Sequence, residues 1–503
     1  MPVSVFLMSV GQVVLLGAFV FEGNALLKLK RFGQNKAAVI AASLILLHFL
    51  GLLYSSDFAF GWHDIRVKAP LLLLPLFIAG SEPLSEKFFH WLMALFVGAV
   101  TVGTLISMGV YEGFIPTRHG VRDIRDISIF ISHIRFSMMI AFSVFLTVYF
   151  FYQAFPAWVK TVWMLLGLWL MVFLFILNSL TGIVLFLCVL VCLSFYGLFS
   201  RRSRLFRIAV SGGLAVLTAG GCLYAKSLLD TDTLVRMPVP VGEKTALGNS
   251  YRNDSLGSMR ENGNLIWMYV CEKELEPAWN TRSLMPYAGK NKKGDDLRFT
   301  LIRYLSSKGL AKDAAAVQSL SDAEVKLIES GIANVRYAGR SALSVRIMET
   351  IWEFRSYRQG HDPNGHSVTM RIEFWRAALG IIRSHLIAGV GTGDVQSAFT
   401  KQYDEMKSPL DKDHRWRSHN QFLSIAVAFG ITGLLWFLLA LFYPPLSVFR
   451  RFDYFYFVFF VIVFLSFFTE DTLETQAGVT FFAFFNAVFL FGRTVSARLP
   501  AQV

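Results

Sequence analysis

Residues 367–435 read SVTMRIEFWRAALGIIRSHLIAGVGTGDVQSAFTKQYDEMKSPLDKDHRWRSHNQFLSIAVAFGITGLL. The stretch opens with a helical pattern that carries Arg371 and Arg376, and it breaks at a glycine-rich turn, residues 389–394. A polar, basic segment follows, and a long apolar helix begins around His419. Cations, a tight turn and a histidine therefore gather where a polar segment meets an apolar one. This arrangement predicts a functional site at a membrane surface, with the rest of the chain as its scaffold.

The amino-acid composition is that of a membrane protein. Of 503 residues, 54% are hydrophobic, 48 are phenylalanine and only 17% are charged. Several apolar runs exceed about 17 residues, the length that a helix needs to span a bilayer. Because soluble domains carry more charge, the composition predicts an all-α polytopic membrane protein and argues against an ordinary soluble enzyme.

Apolar segments recur along the chain and predict about 11 transmembrane helices, or about 12 if the region 121–152 is divided. They are 3–21, 37–55, 66–80 (short for a span), 89–109, 128–152, 158–178, 180–199, 206–224, 419–443, 453–469 and 477–493. We therefore expect an N-terminal bundle of about eight spans at 1–224 and a C-terminal bundle of three spans at 419–503. Between them, 225–418 is expected to form one large, mostly helical periplasmic domain.

Basic clusters predict the orientation, because Lys and Arg accumulate on cytoplasmic loops. The clusters are Lys28, Lys30, Arg31 and Lys36; Arg201, Arg202, Arg204 and Arg207; Arg450 and Arg451; Arg493 and Arg498. One alternation of spans places all of them in the cytoplasm and places 225–418 and the turn 470–474 on the far side. The pattern predicts a multi-pass protein of a bacterial inner membrane with its site facing the periplasm. The N-terminus lacks a positive n-region and a small-residue cleavage site, so we interpret it as the first span.

The formal net charge of +13 also comes in part from Lys and Arg on the predicted cytoplasmic loops. In a soluble protein it would suggest a nucleic-acid partner, but here much of it is the cytoplasmic excess, and we expect no nucleic acid. Four cysteines, Cys188, Cys192, Cys222 and Cys271, suggest neither a disulfide framework nor a metal site.

The segment 225–418 is too long for a loop and too polar to span, so it is expected to fold. Asn264–Cys271 has the composition of a short strand, and Ser321 with Glu324 predicts a capping box. The pattern of 368–383 is amphipathic. Its predicted apolar face consists of Ile372, Trp375, Ala378 and Leu379.

His419 is the first candidate for chemistry. A lone histidine at a membrane edge is more often an interfacial residue. Here Asn420 makes the start of the helix polar, and Arg415 and Arg417 precede it. Nearby guanidiniums disfavour protonation of an imidazole, and a neutral imidazole can serve as a general base.

Arg371 has two interpretations of equal weight. From an amphipathic helix it would contact lipid headgroups, as Trp375 one turn later suggests for an interfacial helix. Alternatively, its planar guanidinium would hold a diphosphate through two parallel hydrogen bonds, which a lysine cannot do.

His133 and Arg135 lie inside an apolar run. A buried arginine in a bilayer is costly and by default marks a functional or paired site. Since the pair is near the end of the run, snorkelling to the interface is the alternative. We favour the functional interpretation.

Lys68 opens the short segment 66–80 and is interpreted mainly as an interface anchor, with a role in an anion site as the alternative. Glu470, Asp471 and Glu474 form an acidic cluster on the same predicted side. We expect these acids to pair with the arginines and Glu474 to orient His419, although loop acids are more often simply solvated.

The glycine turn GVGTGD is a weak signal. Glycines before a helix can expose N–H groups to phosphate, but the turn has neither the lysine of a Walker loop nor the preceding strand of a dinucleotide site. It is better explained as a place of close packing. No HExxH or paired Cys/His set occurs, so we expect no catalytic metal and no cofactor.

The stretch SVTMRIEFWRAALGIIRSHLIAGVGTGD, leading into SHNQFLSIAVAFGITGLL, resembles the O-antigen ligase / O-antigen polymerase family. His419 is followed by ten residues and then Gly430, as in the family's His-x10-Gly pattern. The residues 133–137 and 470–478 look like the variant found in Bacteroidetes members. One departure is Leu180, which stands where the family often has an arginine after a serine; Arg135 is the candidate to supply that charge.

The resemblance implies a membrane glycosyltransferase of the GT-C type, which moves a glycan from undecaprenyl diphosphate to an acceptor hydroxyl with inversion and without metal. The acceptor would be lipid A–core, in lipopolysaccharide biosynthesis. His419 and Arg371 would be catalytic. The implied diphosphate-binding residues are Arg371, Arg135, Arg415 and Arg417, and the supporting residues are His133, Asn420, Glu474 and Lys68.

Three alternatives stay open. An O-antigen or exopolysaccharide polymerase would use another lipid-linked repeat as acceptor, and a protein O-oligosaccharyltransferase would use a Ser or Thr. A polysaccharide or lipid transporter would show repeat symmetry and matching broken helices, for which the sequence gives no sign.

Overall fold

The computed structural model describes residues 2–116, 124–199, 242–254, 259–449 and 452–493, with scattered positions between 208 and 227. Within these residues the regular structure is almost entirely helical, and the one sheet is a two-stranded antiparallel pair, β1 (Arg260–Glu261) with β2 (Asn264–Leu265). The prediction of an all-α polytopic membrane protein is confirmed. Several helices are long and apolar enough for that environment.

The chain divides into two compact units, residues 1–195 with 371–503, and residues 196–370. The stretch 371–418, predicted as part of the periplasmic domain, thus belongs to the same unit as the apolar helices. The helices are α1 (Val5–Phe21), α2 (Ala25–Gln34), α3 (Lys36–Ala42), α4 (Leu44–Leu52), α5 (Phe58–Lys68), α6 (Pro70–Gly80), α7 (Glu86–Tyr111), α8 (His133–Phe151), α9 (Ala157–Ile176), α10 (Leu180–Phe199), α11 (Glu272–Arg282), α12 (Leu297–Ser307), α13 (Ala314–Gln318), α14 (Asp322–Glu329), α15 (Ala342–Arg358), α16 (Ser367–Ser384), α17 (Val395–Glu405), α18 (Gln421–Val448), α19 (Tyr454–Thr469) and α20 (Gln476–Phe491).

Helices occupy the predicted apolar segments, except that 206–224 lies largely outside the described residues. Among the described helices, α7, α8, α9, α10 and α18 are long and apolar enough to cross a membrane, and α1 with α2 adds a sixth if that bent pair is one span. The other segments are shorter because the chain breaks inside them, as between α3 and α4, or because the helix has only 16 residues, as in α19 and α20. Helix length therefore supports fewer spans than the predicted 11 or 12.

The abundant phenylalanines pack the first unit. Phe96 of α7, Phe142 of α8, Phe459 of α19 and Phe485 of α20 meet with ring centroids 4.8–6.1 Å apart. Aromatic pairs in tilted and edge-to-face contact add to the free energy gained by burial alone. The composition thus serves a core that holds α7, α8, α19 and α20 together.

The predicted apolar face of α16 is correct for Ala378 and wrong for Trp375 and Leu379. The buried side chains are Phe374, Ala377, Ala378 and Ile381, whereas Trp375 and Leu379 are exposed. Residues three, four and seven positions apart lie on one side of a helix, and two apolar stripes compete on this one. The stripe that contains Phe374 is buried, so Arg371, one turn before it, is directed inward.

A glycine clamp joins α16 to α18; it consists of residues 386–391 and the helix break at 427–431. Gly430 interrupts α18 with φ 65° and ψ −165°. The N–H groups of Val390 and Gly391 donate to the carbonyls of Val427 and Ala428 at 3.0 and 2.9 Å, and the N–H of Ile431 donates to Leu386 at 2.8 Å. The main chains approach this closely only because glycine lacks a Cβ.

The N–H groups of the glycine turn are used for this architecture. Those of Val390 and Gly391 serve the clamp, Thr392 donates to the Gly51 carbonyl at 3.3 Å, and Gly393 donates to Ser55 Oγ at 2.9 Å. The Asp394 carboxylate accepts from the N–H groups of residues 56 and 57 at 2.7 and 3.0 Å. The turn is therefore a packing element and not a phosphate cradle.

Replacing Gly430 with alanine is expected to lower the free energy of unfolding by about 3 kcal/mol. A Cβ there would lie 2.2 Å from the carbonyl oxygen of Ile387 on a backbone with positive φ. Gly98→Ala in α7 is the control, since a Cβ at Gly98 meets nothing within 4 Å, and its effect should stay within about 1 kcal/mol. Denaturation of the detergent-solubilised protein measures both, and equal effects would contradict the clamp.

The second unit has its own core, formed mainly by α11, α12 and α14. Trp279, Leu301 and Ile328 are fully buried in it. The predicted capping box is confirmed: Ser321 and Glu324 bond each other's backbone at the start of α14. The predicted strand Asn264–Cys271 is wrong beyond Leu265, because only the tight hairpin with β1 has a partner strand among the described residues.

Candidate active site

His419 lies two residues before α18 and has a left-handed backbone conformation, with φ 45°. Few residues other than glycine adopt this conformation, and it concentrates at functional sites. Two contacts hold it: the Trp375 indole N–H donates to the Ser418 carbonyl at 3.0 Å, and the Asn420 side chain caps the helix by accepting from the Leu423 N–H at 3.1 Å. The predicted supporting residue Asn420 therefore acts as a helix cap.

Carboxylates face the His419 imidazole. Nδ1 lies 3.7 Å from Glu470 Oε2 and 3.7 Å from Asp471 Oδ1. Phe374 and Trp416 pack against the ring, with centroids 5.6 and 5.7 Å away. Neither distance is short enough for a hydrogen bond, and Nδ1 is buried without a hydrogen-bond partner among the described residues. The side chain is 25% exposed, so the ring is partly accessible to solvent.

Two of the predicted arginines bind the same carboxylates. Arg371 Nη2 donates to Glu470 Oε1 at 2.7 Å, and Arg135 Nη2 lies 3.8 Å from Asp471 Oδ1. Arg135 Nε is buried and has no hydrogen-bond partner among the described residues. The structure thus brings His419, Arg371 and Arg135 together, although they come from α16, α8 and the start of α18. The expected pairing of the acidic cluster with arginines is confirmed.

Residues 332–438, about a fifth of the chain, match the family model for O-antigen ligase. The match includes α16 with Arg371, the glycine clamp and His419. The chain therefore contains a region that is similar to the O-antigen ligase family. Members are glycosyltransferase-like enzymes with lipid-linked glycan substrates and a membrane environment. No curated protein matches the chain in the search made against such proteins.

The structure places Glu474 away from the role predicted for it. Glu474 binds Lys68 at 2.7 Å, Arg417 at 3.1 Å and the Gln421 side-chain amide at 3.2 Å. The carboxylates at His419 are Glu470 and Asp471 instead. The reason lies in the short 3₁₀ turn Thr472–Glu474, which separates the two ends of the acidic cluster.

Lys68 is not an interface anchor. It ends α5, is only 2% exposed, and binds both oxygens of Asp64 at 2.8 and 2.7 Å in addition to Glu474. His48 Nδ1 lies 3.2 Å from the second Asp64 oxygen. A buried polar chain therefore runs from His48 through Asp64, Lys68 and Glu474 to Arg417.

Asp64 and His48 were missed in the sequence. Two signals were available: Asp64 and Lys68 are spaced four residues apart in an apolar surrounding, and His48 lies within the apolar segment 37–55. A polar residue in such a segment is expensive unless it is paired. Its partners, however, are far away in sequence and could not be named in advance.

The remaining predicted residues have other surroundings. Arg415 binds Asp404 Oδ1 at 2.6 Å and the Leu410 carbonyl at 3.0 Å, so it is engaged by α17 and the following loop. His133 is the half-buried first residue of α8, two positions before Arg135. The guanidiniums expected to keep His419 neutral are also engaged elsewhere, because Arg417 binds Glu474. The charged groups nearest to Nδ1 are the carboxylates of Glu470 and Asp471.

The acids of the turn between α19 and α20 have pKa values shifted in opposite directions. Burial raises the pKa of Asp471 above its ordinary value, and the nearby acids add to this effect. Burial also acts to raise the pKa of Glu470, but His419 and Arg371 outweigh it and lower that pKa. The pKa of Glu474 is likewise lowered, because Lys68 and Arg417 outweigh burial. Glu470 and Glu474 are thus held ionised, while Asp471 is the easiest of the three to protonate.

Asp471→Asn and Glu474→Gln are expected to change stability in opposite ways. Ionised Asp471 opposes folding at neutral pH because its pKa is raised in the folded state, so the amide should keep or raise the melting temperature. Ionised Glu474 stabilises the fold above its unfolded-state pKa, and that contribution disappears as pH falls through its lowered folded-state pKa. Glu474→Gln should cost about 3 kcal/mol at pH 7, since it leaves buried cations without their partner.

Thermal unfolding of both variants in detergent, at pH 7 and at pH 5, measures these effects. If Asp471→Asn proved the more damaging variant at neutral pH, the assignment of the two carboxylates would be reversed.

Proposed function

We propose that this protein is a glycosyltransferase that moves a glycan from undecaprenyl diphosphate to an acceptor hydroxyl of lipid A–core in lipopolysaccharide biosynthesis. The reaction takes place at the periplasmic face of a bacterial inner membrane. One observation carries the proposal: an imidazole and two guanidiniums converge on the adjacent carboxylates Glu470 and Asp471. A general base and two anion-binding groups thereby share one small site.

His419 acts as the base. The nearby carboxylates of Glu470 and Asp471 favour the tautomer with its hydrogen on Nδ1, and Nε2 accepts the proton of the acceptor hydroxyl. The oxygen attacks the anomeric carbon, a new C–O bond forms, and the bond to the diphosphate oxygen breaks. The leaving diphosphate takes the electron pair. Attack from the face opposite the leaving group inverts the anomeric centre.

Arg371 and Arg135 stabilise the charge that grows on the diphosphate. A guanidinium has five N–H donors in a rigid fork, so Arg371 can hold Glu470 with one nitrogen and an anion with others. Burying an N–H without a partner is costly, and a diphosphate oxygen would satisfy Arg135 Nε. The carboxylates keep both arginines in place before the donor arrives, which reduces reorganisation in the transition state.

Arg417, Lys68 and Asp64 support the site indirectly, through ion pairs that position its neighbours. Their mutual ion pairs fix Glu474, and the Gln421 side chain links that carboxylate to the Leu473 N–H. The start of α18 and the turn that carries Glu470 and Asp471 are therefore held in one geometry. Arg415 has no part in this proposal.

Deletion of the gene in its host, followed by gel analysis of lipopolysaccharide, tests the function. Loss of all long chains from the core, with lipid-linked polymer accumulating, is the expected result. A core that carries a single repeat would show a polymerase instead. Unchanged lipopolysaccharide with altered protein glycosylation would show a protein O-oligosaccharyltransferase, and complementation with the intact gene must restore the wild-type pattern.

Chelation of divalent metal is expected to leave transfer unchanged. His419, Glu470 and Asp471 offer ligand atoms within 4.8 Å of one another, but the two carboxylates already have guanidinium counter-charges. Purified protein in detergent is assayed with a lipid-linked donor, with and without EDTA. Activity that disappears with EDTA and returns with Mg²⁺ or Mn²⁺ would contradict this prediction.

A further inference from the structure

The second unit contains a cavity of about 230 Å³ that is separate from the residues of the proposed active site. It lies between the β1–β2 hairpin, the segment 334–337 and α15. Its lining includes Arg260, Glu261, Asn262, Asn334, Arg336, Tyr337, Trp352, Arg355 and Gln359. Many of these side chains are polar or aromatic, so the cavity is not a packing defect of an apolar core.

Cations dominate the charge of the described lining. Three guanidiniums, Arg260, Arg336 and Arg355, border the cavity, against one carboxylate, Glu261. Glu261 is 1% exposed and binds Arg303 and Asn334, each at 2.6 Å. Its charge is therefore compensated inside the protein, and the side chains that line the cavity include more cations than anions.

Arg336, one of the lining guanidiniums, has a second arginine, Arg340, near it. Burial, and secondly the neighbouring Arg340, lower the pKa of Arg336. The nearby Glu261 opposes both effects, and an anion in the cavity would oppose them further, because a negative charge favours the charged form of a guanidinium. Arginine is well suited to such a ligand, since its fork matches carboxylate and phosphate groups.

The aromatic and amide groups indicate what carries the anion. Trp352 and Tyr337 give the cavity flat apolar walls, and Trp352 is held rigidly by the Arg303 guanidinium, 3.8 Å from its ring centre, and by a 2.9 Å hydrogen bond to the Arg260 carbonyl. Amide side chains such as Asn262 and Gln359 can both donate and accept hydrogen bonds. Hydroxyl groups around an apolar ring, as in a sugar, match this combination.

We propose that the cavity binds one anionic sugar residue, bearing a carboxylate or a phosphate, of the glycan that the protein handles. Its volume is below the range of pockets for larger ligands, which favours a single ring over an oligosaccharide. The identity of the ligand as part of a glycan rests on the proposed function. The cavity selects among glycans by charge.

Binding to the full-length protein in detergent micelles tests the proposal, with glucuronate, glucose 6-phosphate, glucose and inorganic phosphate as probes in titration calorimetry. Glucuronate or glucose 6-phosphate should bind at least about tenfold more tightly than glucose, as expected for charge-assisted hydrogen bonds. The preferred probe tells a carboxylate from a phosphate. Equal binding of glucose, no binding of any sugar, or inorganic phosphate binding as tightly as the best sugar would each overturn the proposal.

Matched variants locate the site. Arg336→Gln with Arg355→Gln should weaken binding of the anionic sugar at least about tenfold. Arg358→Gln is the control, because Arg358 is exposed on the same helix and does not line the cavity, and it should bind normally. Equal weakening by the control would overturn the proposal.

The proposal and the proposed function fail separately. His419→Ala should bind the sugar like the wild type, while the cavity variants should raise KM for a charged glycan donor or acceptor with kcat unchanged. If His419→Ala retained glycan transfer, the proposed mechanism would be contradicted, but the proposal that the cavity binds an anionic sugar would be unaffected. If the cavity variants bound sugar normally, the proposal for the cavity would be contradicted, but the proposed mechanism would be unaffected.

Discussion

Replacing His419 with alanine is expected to reduce glycan transfer by at least about 100-fold, while the protein still reaches the membrane. The variant removes the acceptor Nε2 but leaves Glu470 paired with Arg371 and Asp471 close to Arg135. The fold therefore keeps its ion pairs and loses only the group that takes the proton. Transfer from a lipid-linked donor by purified protein in detergent measures the effect.

Two further variants separate chemistry from folding. His419→Asn tests the backbone, because asparagine tolerates positive φ better than most residues, and it should be as inactive as alanine with a normal melting temperature. His385→Ala is the control. His385 directly follows α16, and its Nδ1 lies 3.3 Å from the Ile381 carbonyl oxygen. This variant should transfer glycan normally. Activity near the wild-type level in His419→Asn would show that the imidazole is not the base.

Arg371→Lys is expected to be nearly as damaging as Arg371→Ala, with each lowering kcat/KM by about 100-fold or more. Arg371 donates to Glu470 through one terminal nitrogen, and the other N–H groups of its fork remain in fixed positions beside it. A lysine has a single ammonium group, which cannot hold Glu470 and a diphosphate in the same geometry. Steady-state kinetics with varied lipid-linked donor measure the loss.

The matched control is Arg376→Lys on the same helix. Arg376 is 62% exposed and binds Glu373 at 2.7 Å, so a lysine there should leave kcat/KM unchanged. Full activity of Arg371→Lys would reduce the role of Arg371 to simple charge. Equal losses at both positions would point to a general sensitivity of α16.

The sequence predicted those parts of the fold and site that depend on local pattern. Apolar runs located the helices because burial in lipid demands them, and the isolated polar residues Arg135 and His419 stood out against such runs. Arg371 was selected because its guanidinium suits a diphosphate, although its place one turn before Trp375 suited a lipid headgroup contact equally well. Each of these predictions needed only the residue and its neighbours in the chain.

Partners distant in sequence could not be predicted in the same way. Asp64 and Glu474 meet at Lys68 although some 400 positions separate them, so no local pattern links them. Arg415 and Arg417 are close in sequence, and proximity suggested a shared role, but their carboxylates lie on different elements. The buried side of α16 was also missed because periodicity could not decide between two apolar stripes.

The glycine clamp also sets a length. About ten helical residues rise by about 15 Å. The number of residues between His419 and Gly430 therefore fixes how far His419 lies from the clamp along the helix axis. The distance of Arg371 from the clamp is fixed in the same way, because α16 leads into residues 386–391. The spacing between base and cation is thus set within one chain segment and is independent of how the other helices adapt to bilayer thickness. A membrane that thins or thickens would tilt this segment as a piece and leave the distance across the site unchanged.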